Sequence, residues 1–369
     1  MPNMKLTHGY PRYIAQVSAS YLLGEPARYF GAEPAATALR ALFAAAAADA
    51  VDLEIAVQQS VFGRGVSLCY ENAAREPMIC ALNPRNSFVV YDDTVAHTPL
   101  FGVRLVERAA GTQITLYLPD RVAMYPQGNT KGHLAKPLLT RHPFGAVPMV
   151  EYKNGGDEHG DFEDVLSLVD AYDLLQSDRL NDRMQFSDAL LVLTGVMGIS
   201  ADPDDTMSPM DRLRQEKTLA LPDSDAKAEW LVKNPSEHDV DVLRRALAED
   251  IHKFSLTPDF SDERFAGNAS GISIKYKLFN FENRIKLKEK WFIDGLRERA
   301  RVFCGFIQIR QGISLDADEL RIVLSRRLPI NELERAQALS LLKDILPPAT
   351  LLDNAPILPS NATLERSSQ

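Results

Sequence analysis

Seven histidines are available for acid–base or metal chemistry: His8, His97, His133, His142, His159, His238 and His252. Three of them, His133, His142 and His159, fall in one Gly- and Pro-rich stretch beside Asp157, Glu158 and Asp161. A hydrolytic metal site needs such donors to converge, but no pair stands at i, i+4 as a helical HExxH pattern requires. Solvated loop histidines account for the stretch equally well. Cys69, Cys80 and Cys304 form no CxxC pair and read as core thiols. Gly63-Arg-Gly65 is a two-glycine turn rather than GxGxxG, and neither GxxxxGK[ST] nor GxSxG occurs. The acid pairs Asp92-Asp93, Asp157-Glu158 and Asp204-Asp205 are adjacent in turn-rich sequence, where neighbouring side chains diverge into solvent. The chain is therefore expected to carry no catalytic residue and no cofactor. A metal-dependent hydrolase built on His133, His142 and His159 is the alternative.

The elements that position these residues belong to a 369-residue chain with 45% hydrophobic and 25% charged residues, which excludes a disordered or collagen-like protein. Its net charge of −9 excludes a tight phosphate-clamping nucleic-acid binder. Three cysteines cannot make a disulfide framework, which points to a reducing compartment. No secretory signal is evident, and the longest uncharged runs fall short of a bilayer span.

Ala35–Val57 is a dense helix former. Between 61 and 125, short β-rich runs at 66–70, 78–82, 88–91, 100–106 and 113–118 are separated by turn residues, as in an antiparallel meander. Gly155-Gly156 reads as a flexible link. Asp161–Thr194 contains neither Gly nor Pro and reads as one long helix, with eight acidic against two basic residues. Residues 197–235 read as a small exposed mixed module with a strand-like run at Lys217–Leu221. Ser236 is placed to cap a helix through Phe254. A Gly/Asn/Ser loop follows, then a second long helix over Ile272–Ile309, where Gly295 or Gly305 is a candidate kink. That helix carries nine basic and four acidic residues. Its aromatic content favours packing and pairing between subunits over nucleic-acid contact. Asp316–Ser325 reads as a strand, Asn331–Leu346 as a short helix, and the last residues as a frayed tail. The arrangement is an α+β body with a helical projection. A monomeric scaffold whose long helices form an internal coiled coil is a further reading.

Several segments resemble the portal proteins of tailed bacteriophages and prophages, the siphophage type that forms dodecamers. They are Tyr10-Pro-Arg-Tyr-Ile14, Ser20-Tyr-Leu-Leu-Gly-Glu-Pro26, Val147-Pro-Met-Val-Glu-Tyr-Lys-Asn154, the run Asp161–Asp173, Ala189–Gly195 and Pro258–Lys277, in the same order over about residues 10–350. The resemblance implies a homo-oligomeric ring of twelve subunits at a capsid vertex, with double-stranded DNA passing through its channel. It implies as partners the terminase large subunit and the major capsid, scaffolding and head–tail connector proteins, with no membrane. The location it implies is the virion, preceded by host cytoplasm during assembly. Residues 1–158 would be the first part of a wing, 159–195 a stem helix, 196–236 a small α/β clip and 237–255 a second stem helix. Residues 256–272 would be a tunnel loop, 273–350 the remainder of the wing, and 351–369 a short crown-like tail. The implied tunnel-loop residues are Asp262, Glu263, Arg264, Asn268 and Ser270. Asp170, Asp178, Asp182 and Arg183 would line the channel, and Arg212, Arg214, Lys217 and Trp230 would dock terminase. Family members carry more residues before the Tyr10 segment and a larger crown, so the short start and the tail after Pro347-Pro348 fit a full-length chain, a defective prophage copy or a reduced-crown variant alike.

Overall fold

The structure, a computed structural model, describes residues 3–109, 111–125, 136–186, 190–194, 218–221, 227–231, 237–261, 271–326 and 340–341. Its elements begin with α1 (Tyr10–Leu22), β1 (Arg28–Phe30), α2 (Ala35–Ala45) and α3 (Ala48–Phe62). A run of strands follows: β2 (Arg64–Glu71), β3 (Pro77–Leu82), β4 (Ser87–Tyr91), β5 (Pro99–Arg108), β6 (Gly111–Tyr117), β7 (Arg121–Tyr125), β8 (Leu138–Arg141) and β9 (Met149–Lys153). Then come α4 (Leu166–Phe186), β10 (Leu190–Thr194), β11 (Thr218–Leu221), β12 (Lys227–Leu231) and α5 (Glu237–Phe254). The described elements close with α6 (Gly271–Lys277), α7 (Phe279–Gln311) and β13 (Arg321–Val323). Helices and mostly antiparallel sheets make this an α+β fold, as the sequence implies. Contacts divide the chain into two units, residues 1–12 with 163–255, and residues 13–162 with 256–369. No helix among the described residues is long and apolar enough to cross a membrane.

The larger unit is layered. Helices α3 and α7 cover one face of a three-stranded sheet ordered β3-β2-β9, and a five-stranded sheet ordered β4-β5-β6-β7-β8 covers the other. Strand alternation makes this possible. Cys69, Ile79, Val150 and Tyr152 turn toward Phe292 and Leu296 of α7, whereas Val66, Leu68, Leu82 and Met149 pack with Val89 and Tyr117 of the outer sheet. Glu151 on β9 accepts the N–H of Val89 at 2.8 Å and the Tyr91 hydroxyl at 3.3 Å, so a middle-layer side chain caps the edge strand β4.

Helix α7 is the spine of this unit, and two cations are buried on its inner face. Arg299 makes a two-pronged pair with Asp52, donates to the Tyr29 hydroxyl at 3.1 Å and lies 5.0 Å over the Phe43 ring. Burial alone would lower the guanidinium pKa, but Asp52 raises it well above its usual value and keeps it charged. Lys288 donates to Ser60 Oγ at 2.5 Å and to Asp161 Oδ2 at 2.9 Å, and Arg284 reaches the same carboxylate oxygen at 2.9 Å. Burial would raise the Asp161 carboxyl, yet Lys288, Arg284 and the Asn154 amide hold it well below the usual carboxylate range. Burial pushes the Lys288 ammonium down to about 8 against the pull of Asp161.

The expected elements are present with revisions. Ala35–Val57 is two helices, broken at Ala47, which has φ 49°. Ala46 and Ala48 are both buried, and on one continuous helix they would point about 200° apart, so the break lets both face the core. The expected meander is divided between two sheets, and β7, β8 and β9 join runs legible in the sequence. Asp161–Thr194 is not one helix. Asp161 is tied to Lys288, a 3-10 turn spans Glu163–Val165, and Leu190–Thr194 leaves helix to pair with β11 and β12. The Gly155-Gly156 link is an ordered turn in which the Glu158 N–H donates to the Gly155 carbonyl. The Ile272–Ile309 helix is interrupted at Leu278, whose N–H still bonds the Ile274 carbonyl. Helix α7 runs unbroken through Gly295 and Gly305. A Cβ at Gly295 would run into the Tyr152 ring and one at Gly305 into the Phe144 carbonyl, so both glycines permit close approach. The basic residues Arg284, Lys288 and Arg299 pair within their own unit. Within Asp316–Ser325, a 3-10 turn precedes β13. Helix α5 has the expected extent, while Ser236 lies outside the described residues, as does all of Asn331–Leu346 except the helical 340–341.

Candidate functional site

Within the smaller unit, α4 packs against α5. Val169 and Tyr172 on α4 and Ile251 on α5 are buried, while His252 and Lys253 in the last turn of α5 complement its dipole. Strand β10 runs parallel to β11 and antiparallel to β12, placing Leu191 opposite both Thr218 and Trp230.

The start of the chain is fastened to α4 by a polar ladder. Asp173 Oδ1 accepts the His8 N–H, Ser177 Oγ the Leu6 N–H and Asn181 Oδ1 the Met4 N–H, each at 2.9 Å. Asn181 also donates to the Met4 carbonyl at 3.0 Å, and the His8 ring nitrogen lies 2.6 Å from Asp173. Four helical residues rise about 6.0 Å and two extended residues about 6.8 Å, so helix positions i, i+4 and i+8 match alternate residues of the strap. The rings of His8 and Tyr10 stand edge-on to Tyr172, and Tyr10 meets His252. Sequence reading missed this ladder. Its signal is polar residues spaced by four on a helix facing polar–apolar alternation at the chain start.

Alongside this ladder α4 presents a row of acids. Asp170 and Asp178 are exposed and Asp182 is half-buried. At 100° per residue these three expected wall residues share an arc of about 120°, with the exposed Leu174 inside it. Arg183, the fourth, is exposed about 100° beyond Asp182 in the last helical turn. The structure thus groups three of the four on one face and sets the fourth apart. Such a face repels polyanions within a Debye length and offers no cation to hold one.

The tunnel-loop candidates Asp262, Glu263, Arg264, Asn268 and Ser270 lie outside the described residues, as do Arg212, Arg214 and Lys217. Trp230 falls on β12.

The hydrolase alternative loses one of its donors. Both His142 ring nitrogens are engaged by backbone, Nε2 with the Leu118 carbonyl at 2.8 Å and Nδ1 with the Phe144 N–H at 3.4 Å. Burial pulls its pKa below the usual value. His159 is exposed, 3.9 Å from Asp157, and His133 lies outside the described residues. Among the described residues no group of three or more His, Cys, Asp or Glu is placed to hold a metal ion.

Over residues 1–367 the chain matches the family described as phage portal protein, SPP1 Gp6-like. No curated protein matches it. Among solved structures it is similar to a chain from the neck of an empty gene transfer agent particle computed with C6 symmetry. That match has a TM-score of 0.49 and 13% identity, over 91% of this chain and 85% of the other. A chain from the neck of the native particle computed with C12 symmetry gives 0.45 and 12%, over 95% and 89%. One from the virion of the native particle gives 0.42 and 13%, over 92% and 86%. All three scores lie below one half, and the family assignment rests on the family match.

Proposed function

We propose, from the premise that this chain belongs to the SPP1 Gp6-like family of phage portal proteins, that copies of it form a ring at one capsid vertex that conducts double-stranded DNA. The observation that carries the reading is the family match across almost the whole chain. The family is a structural one, and the virion is the location that follows from it. In this reading residues 1–158 and 273–350 build the wing, 159–195 and 237–255 the stem, 196–236 the clip and 256–272 the tunnel loop, with 351–369 as a tail. Twelve is the subunit number adopted here. Terminase docks on the clip through Arg212, Arg214, Lys217 and Trp230, and capsid, scaffolding and connector proteins meet other surfaces of the ring.

The acidic face of α4 supports a conduit over a grip. DNA that must slide is best served by a wall that repels phosphate and offers no adhesive sites. Asp170 and Asp178 supply such a wall. The test replaces Asp170 and Asp178 together by Lys. Rings are expected to assemble as before, while DNA packaging slows severalfold, most strongly at low salt. Unchanged packaging at low salt would remove α4 from the channel wall.

A further inference from the structure

The outer sheet of the larger unit carries an apolar face that no structural layer covers among the described elements. Gly102 marks the inner face, because a Cβ there would touch Met149 of β9. The opposite face holds a row crossing all five strands, Phe88–Val103–Leu116–Ala123–Leu139. A second row, Leu105–Ile114–Tyr125, lies beside it. Leu139 is 56% exposed, Phe88, Leu116, Leu105, Ile114 and Tyr125 are half-buried, and the smaller Val103 and Ala123 are buried between them. Among the described elements, the β3-β2-β9 layer packs on this sheet, and it lies against the inner face. A sheet face this apolar, and in part accessible, fits an interaction surface.

One end of the face is basic. Arg121 stands directly across from Arg141 and is paired with its neighbour Asp120 at 2.7 Å, a carboxylate that also lies in the field of Arg141. Like charges facing each other across a ladder are unfavourable unless more negative charge arrives. At the other end, Glu107 pairs in register with Thr112.

The opposite side of the same layered unit offers a matching shape. Leu287, Lys290, Trp291, Asp294 and Glu298 fall within an arc of about 100° on α7, turned away from the buried Phe292 and Leu296. Leu287 is 62% exposed and Trp291 38%. Asp294 and Glu298 are held only by exposed pairs to Arg297 and Arg301, which are weak and exchangeable. Along the helix Leu287 lies about 10 Å from Asp294. On the sheet the two apolar rows lie about 7 and 14 Å beyond the arginines. Setting the acids on Arg121 and Arg141 therefore brings Leu287 and Trp291 over the apolar rows, with Lys290 on the Glu107 side.

A head-to-tail ring requires each subunit to present two different, mutually complementary patches on opposite sides. We infer that the outer sheet face of one copy receives the outward α7 stripe of the next, with Asp294 and Glu298 against Arg121 and Arg141. The inference rests on the ring reading and supplies the surfaces that close the ring.

The test follows oligomer mass against concentration for the full chain. Arg121→Glu with Arg141→Glu, and separately Asp294→Arg with Glu298→Arg, are each expected to raise the half-assembly concentration at least tenfold. The combined four-site variant is expected to return to within threefold of wild type. Because all four residues are at the surface, circular dichroism should match wild type. Should a reversal disturb the fold, Leu139→Cys combined with Leu287→Cys provides a second route. Mild oxidation of the assembled protein is expected to give a covalent ladder beyond the dimer, which neither single cysteine gives. If wild type forms rings that both reversals leave intact, or if the combined variant or the cysteine pair fails, these faces are not the interface and the ring reading stands. If wild type never exceeds a monomer, the ring reading itself fails and this inference with it.

Discussion

Helices α4 and α7 are both long and highly charged, yet they treat their charges in opposite ways. On α7 the bases Arg284, Lys288 and Arg299 are drawn inward and matched by Asp161 and Asp52. On α4 the acids Asp170 and Asp178 stay in solvent, while the neutral Ser177 and Asn181, with Asp173, hold the chain start. The net charge of a helix thus says little about the field it projects. The basic excess of α7 is largely spent inside its unit, and the acidic excess of α4 is what a passing polyanion would meet.

The comparison breaks most visibly if a buried partner is removed. Asp52→Ala leaves Arg299 charged and uncompensated in the core, and breaking such a pair costs about 3–5 kcal/mol. Denaturant unfolding should report a loss of that size, with partial recovery when Arg299→Met removes the orphaned charge as well. A loss under about 1 kcal/mol would mean that water reaches the site.

The Asp161 cluster gives a pH-resolved version. Its carboxyl pKa is lowered in the fold, so its stabilisation is complete above the usual value of 3.8 and is lost as pH falls through the folded value. Asp161→Asn should destabilise the protein at pH 7 and flatten the acid limb below about pH 4. An acid limb as steep as that of wild type would assign it to other carboxylates.

The strap ladder should be weaker, because each rung is one or two hydrogen bonds in a partly exposed setting. Asn181→Ala and Ser177→Ala are each expected to cost about 1 kcal/mol. Hydrogen exchange at the Met4 and Leu6 amides should quicken in the matching variant. The smallest effect belongs to the open face. Asp170→Asn with Asp178→Asn should change stability by no more than about 0.5 kcal/mol. A larger loss would show that these acids have structural partners, contrary to the contrast with α7.

Much of the fold was legible because local pattern and tertiary use agree. The β2–β6 runs and α5 follow from alternation, turn residues and helical periodicity. Agreement fails where long-range pairing overrides local preference. Nothing local in Asp161 says that it belongs to Lys288, 127 residues away, and the Ala-rich run gives no hint that Ala46 and Ala48 are both buried. The strap was missed for a different reason: Asp173, Ser177 and Asn181 show the spacing of four, but what they accept are backbone N–H groups of residues 4, 6 and 8, which every residue type but proline offers. Of the candidate site, the acidic face of α4 was readable as charge at helical spacing.

The central claim is a ring with an open axis, and electron microscopy of the purified full chain tests it most directly. The account predicts closed rings with a central hole, and a solution mass on the order of half a megadalton for about twelve 41.0 kDa subunits. A particle that stays at the mass of one chain across concentration and salt, with no rings in the images, would contradict it.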